Sequence, residues 1–186
     1  RWKDIGWNRK GRLDEIVANL TNPAFLSDEL PVEGMSEVEG EQVLLLRAEV
    51  LRLQGLSEPP TGWQAQCYTR GRLLAFLRSR QGHIRKAAEF AKLCIEFMPR
   101  MLEVARKYEE APEEWKALRD RYAVCGLYGR DRRGVSVRYG REGMYDPVGL
   151  IRETSLEFLR AAEFMEQLVF WDLLATESLR LGKAVT

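Results

Sequence analysis

Histidine is almost missing from this sequence of 186 residues: His83 stands alone. Cysteine is scarce as well, with Cys67, Cys94 and Cys125 far apart along the chain. One histidine and three dispersed thiols give no zinc-ligand spacing. An odd cysteine count without a framework predicts reduced thiols rather than a disulfide scaffold. No apolar run reaches the ~18 residues that a membrane-spanning helix needs, and the first residues lack a signal-peptide pattern. A glycine-rich phosphate loop is missing too, because Gly126, Gly129 and Gly134 flank a turn instead of opening a helix. No serine sits on a Gly-x-Ser-x-Gly elbow. Glu109-Glu110 and Glu113-Glu114 pair carboxylates, but nothing apolar flanks them to raise a pKa, and they read as solvated. Catalysis, metals and cofactors thus find no support, and we expect a protein that is not an enzyme. No repeat or low-complexity tract occurs. The chain opens on Arg1 and closes on Thr186 without punctuation, which suggests a segment of a longer protein.

Hydrophobic residues make up 45% of the chain and charged ones 31%, the composition of a soluble domain with a real core. The net charge of +1 conceals an asymmetry. Eight acids between Asp28 and Glu58 face only Arg47 and Arg52, whereas seven arginines between Arg119 and Arg141 face only Asp120 and Asp131. That basic block suits either a phosphate-bearing partner or a solvated surface.

Residues 1–36 are the least legible part. Trp2 and Trp7 among basic residues fit an interfacial membrane contact or an anchor packed on its own domain. Leu13 to Leu20 predicts a short helix ended by Asn22-Pro23. A helix over about 39–54 has an apolar stripe of Val43, Leu44, Leu46, Val50, Leu51 and Leu53, stopped by Gly55. The next helices are predicted over about 63–80, 84–98, 100–110 and 112–121, with Pro112 in the first turn of the last. The helix over 84–98 is apolar round most of its girth and should be buried between neighbours. From 122 the pattern changes. Turn residues at Gly129–Gly134 lead into alternation, with Val135, Val137 and Tyr139 on one side and Ser136 and Arg138 on the other. This predicts a strand with a short partner at about 124–128. Asp146-Pro147 reads as N-cap and first helical residue, and Thr154-Ser155-Leu156-Glu157 as a capping box opening a helix to about Glu177. Its core stripe is Phe158, Ala161, Ala162, Met165, Leu168, Val169 and Asp172.

Two helices are therefore expected to meet at a joint that carries Arg78, Arg80, Arg85 and Lys86, with no acid from 70 to 86. The stretch Leu73-Leu74-Ala75-Phe76-Leu77-Arg78-Ser79-Arg80, with Lys86-Ala87 after the joint, resembles the LLRFLRARKFDVEKA pattern of the CRAL-TRIO lipid-binding and lipid-transfer family. Gly129-Arg130-Asp131-Arg132-Arg133-Gly134-Val135-Ser136-Val137 is similar to the hairpin that opens that family's sheet. The chain departs from the pattern at Gln81, Gly82, His83 and Val135-Ser136.

The resemblance covers about 39–186. It implies a mainly α segment: an extension over 1–36, a helical region over 37–121, and over 122–186 the hairpin and long helix that begin an α/β lipid-binding domain continuing past the chain end. It further implies a phospholipid or other hydrophobic ligand, exchanged at membrane surfaces by a cytoplasmic, peripherally associating protein. Arg80 becomes the candidate for a phosphatidylinositol head-group phosphate, and Val137 and Tyr139 for the cavity wall. A helix-end arginine offers paired donors to phosphate, yet it can equally bond the orphan carbonyls of its own helix. A helical protein-interaction module of a larger signalling protein is the alternative. Nucleic-acid binding through Arg130, Arg132, Arg133, Arg138 and Arg141 is not expected, since no recognition fold accompanies those arginines.

Overall fold

The computed structural model describes residues 11–27, 30–122, 125–140 and 145–185. The fold is mainly helical. In chain order it contains α1 (Arg12–Leu20), α2 (Pro23–Leu26), α3 (Glu37–Gln54), a 3-10 segment (Gly62–Tyr68), α4 (Arg70–Ser79), α5 (Ile84–Glu109), α6 (Glu113–Tyr122), β1 (Cys125–Arg130), β2 (Ser136–Gly140), α7 (Pro147–Glu153) and α8 (Leu156–Leu181). Trp2 and Trp7 lie outside the described residues, as does Arg141.

The chain separates into two compact units. One combines the residues up to Ile16 with Arg100–Asp172, and the other Val17–Pro99 with Leu173–Thr186. Helices α1, α5 and α8 each contribute to both.

In the Val17–Pro99 unit, α3 begins two residues earlier than its apolar pattern suggests, because Ser36 builds a full capping box with Glu39. Ser36 Oγ accepts from the Glu39 amide at 3.2 Å, and the Glu39 carboxylate accepts from the Ser36 amide at 2.9 Å. Gly55 ends the helix in the left-handed region, with φ 68°. Val43, Leu46 and Val50 are buried and α3 packs on α4, but Leu44 is 57% exposed and so leaves the core stripe expected of it. Its neighbour Leu45 is equally bare.

The helix expected over 63–80 is two pieces. Thr69 is extended and donates its hydroxyl to the Gln66 carbonyl at 2.9 Å, while Arg47 Nη2 claims the Tyr68 carbonyl at 2.7 Å. A threonine that bonds its own backbone competes with helix propagation, and here it wins.

The helices expected over 84–98 and 100–110 are instead one, α5, which contains Pro99. A proline at this position removes the amide that would bond the carbonyl of Ile95. Gln64 Nε2 donates to that carbonyl from the 3-10 segment at 3.4 Å and partly replaces the lost bond. At the other end of this unit a parallel bridge joins Val32 to Ala184, with the Ala184 amide bonded to the Pro31 carbonyl at 2.8 Å.

In the Arg100–Asp172 unit, the carboxylates at the α5–α6 connection are not all solvated. Glu109 Oε1 accepts from the Leu13 amide at 2.8 Å, capping the first turn of α1 from 96 residues away. Buried charges are paired: Arg119, 3% exposed, donates to Glu166 at 2.6 Å, Lys116 bonds Glu113 at 2.7 Å, and Asp172 receives Arg12. Tyr108 stacks on Phe158, and Trp115 meets the same ring edge-on. The expected stripe of α8 is buried from Phe158 to Asp172.

The hairpin is antiparallel and two-stranded, with the register shifted between Leu127 and Gly129. Its turn is fixed by Asp131, whose carboxylate accepts from the amides of Arg133 and Val135, and by Gly134 at φ 80°. Asp146 caps α7 through the Gly149 amide at 2.8 Å, with Pro147 in the first turn. The α8 cap shifts by one residue. Ser155, not Thr154, accepts the helix amide, from Phe158 at 3.0 Å. Thr154 closes α7 instead, its hydroxyl donating to the Leu150 carbonyl at 2.6 Å.

Candidate functional site

The joint between α4 and α5 is where the sequence concentrates cations, and the backbone there ends one helix and starts the next within four residues. Gly82 N–H reaches the Leu77 carbonyl at 3.0 Å, and Gln81 N–H reaches the Arg78 carbonyl at 3.1 Å. These are the two bonds of a Schellman termination. Its left-handed position is taken by Gln81, with φ 53°, followed by Gly82 at 78°. His83 then offers its carbonyl to the Ala87 amide at 2.9 Å as α5 begins. Backbone amides thus satisfy the Leu77 and Arg78 carbonyls, while the Ser79 hydroxyl takes the Phe76 carbonyl at 2.8 Å.

The cations of the joint have separate fates. Arg78 is engaged: Nε meets Glu39 at 2.8 Å and Nη2 meets the Gly34 carbonyl at 2.7 Å. The Arg78 guanidinium, helped by the Ser36 amide, holds the Glu39 carboxyl down to about 2. Arg85 pairs with Glu89 at 3.2 Å, one turn along α5. Arg80 lies over the Phe90 ring, its guanidinium carbon 3.9 Å from the centroid. Its one side-chain hydrogen bond among the described residues is a 3.2 Å contact from Nη1 to the Ser79 carbonyl. Neither Arg80 nor Lys86 has a carboxylate partner among the described residues. A planar guanidinium stacked on an aromatic ring is held in place while its edge stays available to a fork-shaped acceptor such as phosphate. The two readings of Arg80 are therefore both present in part, a weak backbone contact and an oriented cation.

Val137 and Tyr139 of β2 are 37% and 50% exposed. They are remote from the joint in the chain and lie in the other unit. The basic block is not one face. Arg119 is buried against Glu166, Arg133 pairs with Asp131 at 3.0 Å, and Arg130 bonds the Gly134 carbonyl at 2.7 Å. Sequence reasoning missed Phe90 as the seat of Arg80 and Glu39 as the claimant of Arg78. An aromatic six residues into the next helix was the available signal for the first, and nothing local signalled the second. The thiol of Cys67 packs beside Met98 and is pushed up to about 12 by burial, so it stays protonated and inert at neutral pH.

No protein-family model, curated protein or solved structure matches the chain. No helix among the described residues is long and apolar enough to cross a membrane.

Proposed function

We propose that this chain belongs to a lipid-binding and lipid-transfer module of CRAL-TRIO type, its helices and hairpin leading into an α/β lipid-binding domain. It would shield one lipid by apolar burial and exchange it at membranes without covalent chemistry. Burial supplies ~0.8 kcal/mol per methylene, which suffices to hold an acyl chain out of water. One observation carries the reading. At a joint with the sequence pattern of a head-group site, Arg80 is oriented on Phe90 and has no carboxylate partner among the described residues, while Arg78 and Arg85 are neutralised. The exposed Val137 and Tyr139 suit an apolar wall that other residues would complete.

The test is Arg80→Ala in the full-length protein, measured by uptake of phosphatidylinositol and of phosphatidylcholine. Losing a charge-assisted contact costs on the order of 1.5–3 kcal/mol, so phosphatidylinositol affinity should fall more than tenfold while phosphatidylcholine uptake is unchanged. Arg80→Lys should recover part of the loss, since it keeps the charge without the fork. Equal phosphatidylinositol uptake by wild type and Arg80→Ala would end the head-group assignment.

A helical protein-interaction module is the second reading. It is favoured by α3, where Val38, Leu44 and Leu45 are exposed beside Glu37 and Glu41. It predicts protein that takes up neither lipid.

A further inference from the structure

Helix α5 carries two apolar stripes. Ala87, Ala88, Ala91, Ile95 and Met98 form the buried one, none of them more than 2% exposed. On the opposite side Lys86, Phe90, Leu93 and Phe97 follow one another at helical spacing of four, three and four residues. Leu93 is 63% exposed and Phe97 41%, so the expectation that this helix is covered all round fails on that side. Apolar surface left open to water opposite a complete core stripe marks a contact surface.

Charge identifies the contact. Glu89 and Glu96 flank the stripe, but each is neutralised within α5, by Arg85 and by Lys92 at 2.6 Å. Lys86 heads the stripe, and the Arg80 guanidinium rests on its Phe90. The other bare apolar face of this unit, on α3, carries Glu37 and Glu41 instead. A negatively charged surface would attract the first face and repel the second. The stripe is also narrow. A stable protein–protein interface engages about 20–30 residues a side, far more than one helical ridge presents. A bilayer needs no shape match, and basic residues beside a Phe/Leu face are what an interfacial helix uses.

We propose that the Lys86–Phe97 face of α5 docks on anionic phospholipid membranes, with Leu93 and Phe97 entering the head-group boundary and Lys86 at the level of the phosphates. The inference rests on the lipid-exchange reading for its purpose, though not for its geometry.

The test is co-sedimentation of the protein with phosphatidylcholine vesicles that contain or lack phosphatidylserine. Wild type should bind the anionic vesicles, and more weakly as salt is raised. Leu93→Ser with Phe97→Ser should weaken partitioning roughly tenfold or more by removing the apolar anchor. Lys86→Gln should weaken it about fivefold, the contribution of one basic side chain at an anionic surface. All three positions are exposed, so circular dichroism should be unchanged. Leu44→Ser with Leu45→Ser on α3 should bind vesicles as wild type does. The proposal is overturned if wild type ignores anionic vesicles, or if the Leu93/Phe97 variant binds them normally. It is equally overturned if that variant's only defect is loss of a dimer formed without vesicles, since the stripe would then be a contact between copies. Phosphatidylinositol supplied in detergent micelles separates the two ideas. In the full-length protein, uptake without vesicle docking sinks this inference alone, whereas docking without uptake supports it and sinks the cargo reading.

Discussion

Two of the helix-to-helix joints among the described residues, α4–α5 and α7–α8, are built from different materials. Between α4 and α5 the backbone makes the turn. Gln81 and Gly82 adopt positive φ, and main-chain amides satisfy the Leu77 and Arg78 carbonyls of α4. Between α7 and α8 side chains make it: the Thr154 hydroxyl closes one helix on the Leu150 carbonyl, and Ser155 Oγ opens the other at the Phe158 amide. A joint of the second kind spends its polar side chains on its own helix ends. A joint of the first kind leaves most of them for other tasks, and Arg80, with one weak bond to the Ser79 carbonyl, lies over Phe90. On the lipid-binding reading, the candidate site is the joint whose sequence looks less like a cap.

The largest expected effect breaks the backbone joint. Gly82→Ala places a Cβ on a residue with φ 78°, and although nothing crowds that Cβ, the left-handed conformation itself costs roughly 1–2 kcal/mol. Urea unfolding should show that loss. The complementary change, Gln81→Gly, removes a side chain from φ 53° and should stabilise by up to ~1 kcal/mol. If both variants unfold like wild type, backbone termination does not hold this joint.

The side-chain joint should yield to a different change. Ser155→Ala deletes the acceptor of the Phe158 amide and should cost ~1 kcal/mol, a usual value for an N-cap. Thr154→Ala should cost less, because the Thr154 backbone amide still reaches the Leu150 carbonyl at 2.9 Å. A larger loss at Thr154 than at Ser155 would restore the cap position suggested by the Thr154–Glu157 spacing.

The same contrast explains what the sequence could show. Signals carried by neighbours a few residues apart were legible: the buried stripes of α5 and α8, the Asp146-Pro147 start of α7, the Asp131–Gly134 turn and the break at Gly82. Features set by distant partners were not. Pro99 looks like a helix breaker until Gln64, 35 positions earlier, answers the Ile95 carbonyl. Thr69 interrupts a helical pattern because Arg47 claims the Tyr68 carbonyl. Glu109 reads as solvent-facing until α1 brings the Leu13 amide to it. At the candidate site, the clustering of cations was legible and their division of labour was not, since Arg78 is neutralised from 39 residues away. The bare stripe of α5 was misread for a related reason. Periodicity reveals how much of a helix is apolar but not how many neighbours arrive to cover it.

The smallest expected effect concerns that division of labour. Glu39 both caps α3 and neutralises Arg78, and the Arg78 guanidinium, with the Ser36 amide, lowers its carboxyl from an ordinary 4.5 to about 2. A carboxyl whose folded pKa lies below its unfolded one binds fewer protons when folded. It therefore adds stability that is fully present above about pH 4.5 and is lost as pH falls toward about 2. The Glu39–Arg78 pair is partly open to solvent, so screening keeps the effect small and added salt should shrink it further. Thermal melts of wild type and Glu39→Gln should accordingly differ most at neutral pH and converge toward pH 2. In the variant Arg78 loses its carboxylate and joins Arg80 as a cation without a countercharge, although its contact with the Gly34 carbonyl can persist. If the joint selects phosphate by orientation, Glu39→Gln should leave the preference for phosphatidylinositol unchanged, because Arg80 is already placed by Phe90. A stronger preference would mean that the net charge of the joint governs recognition and that the stacking of Arg80 does not.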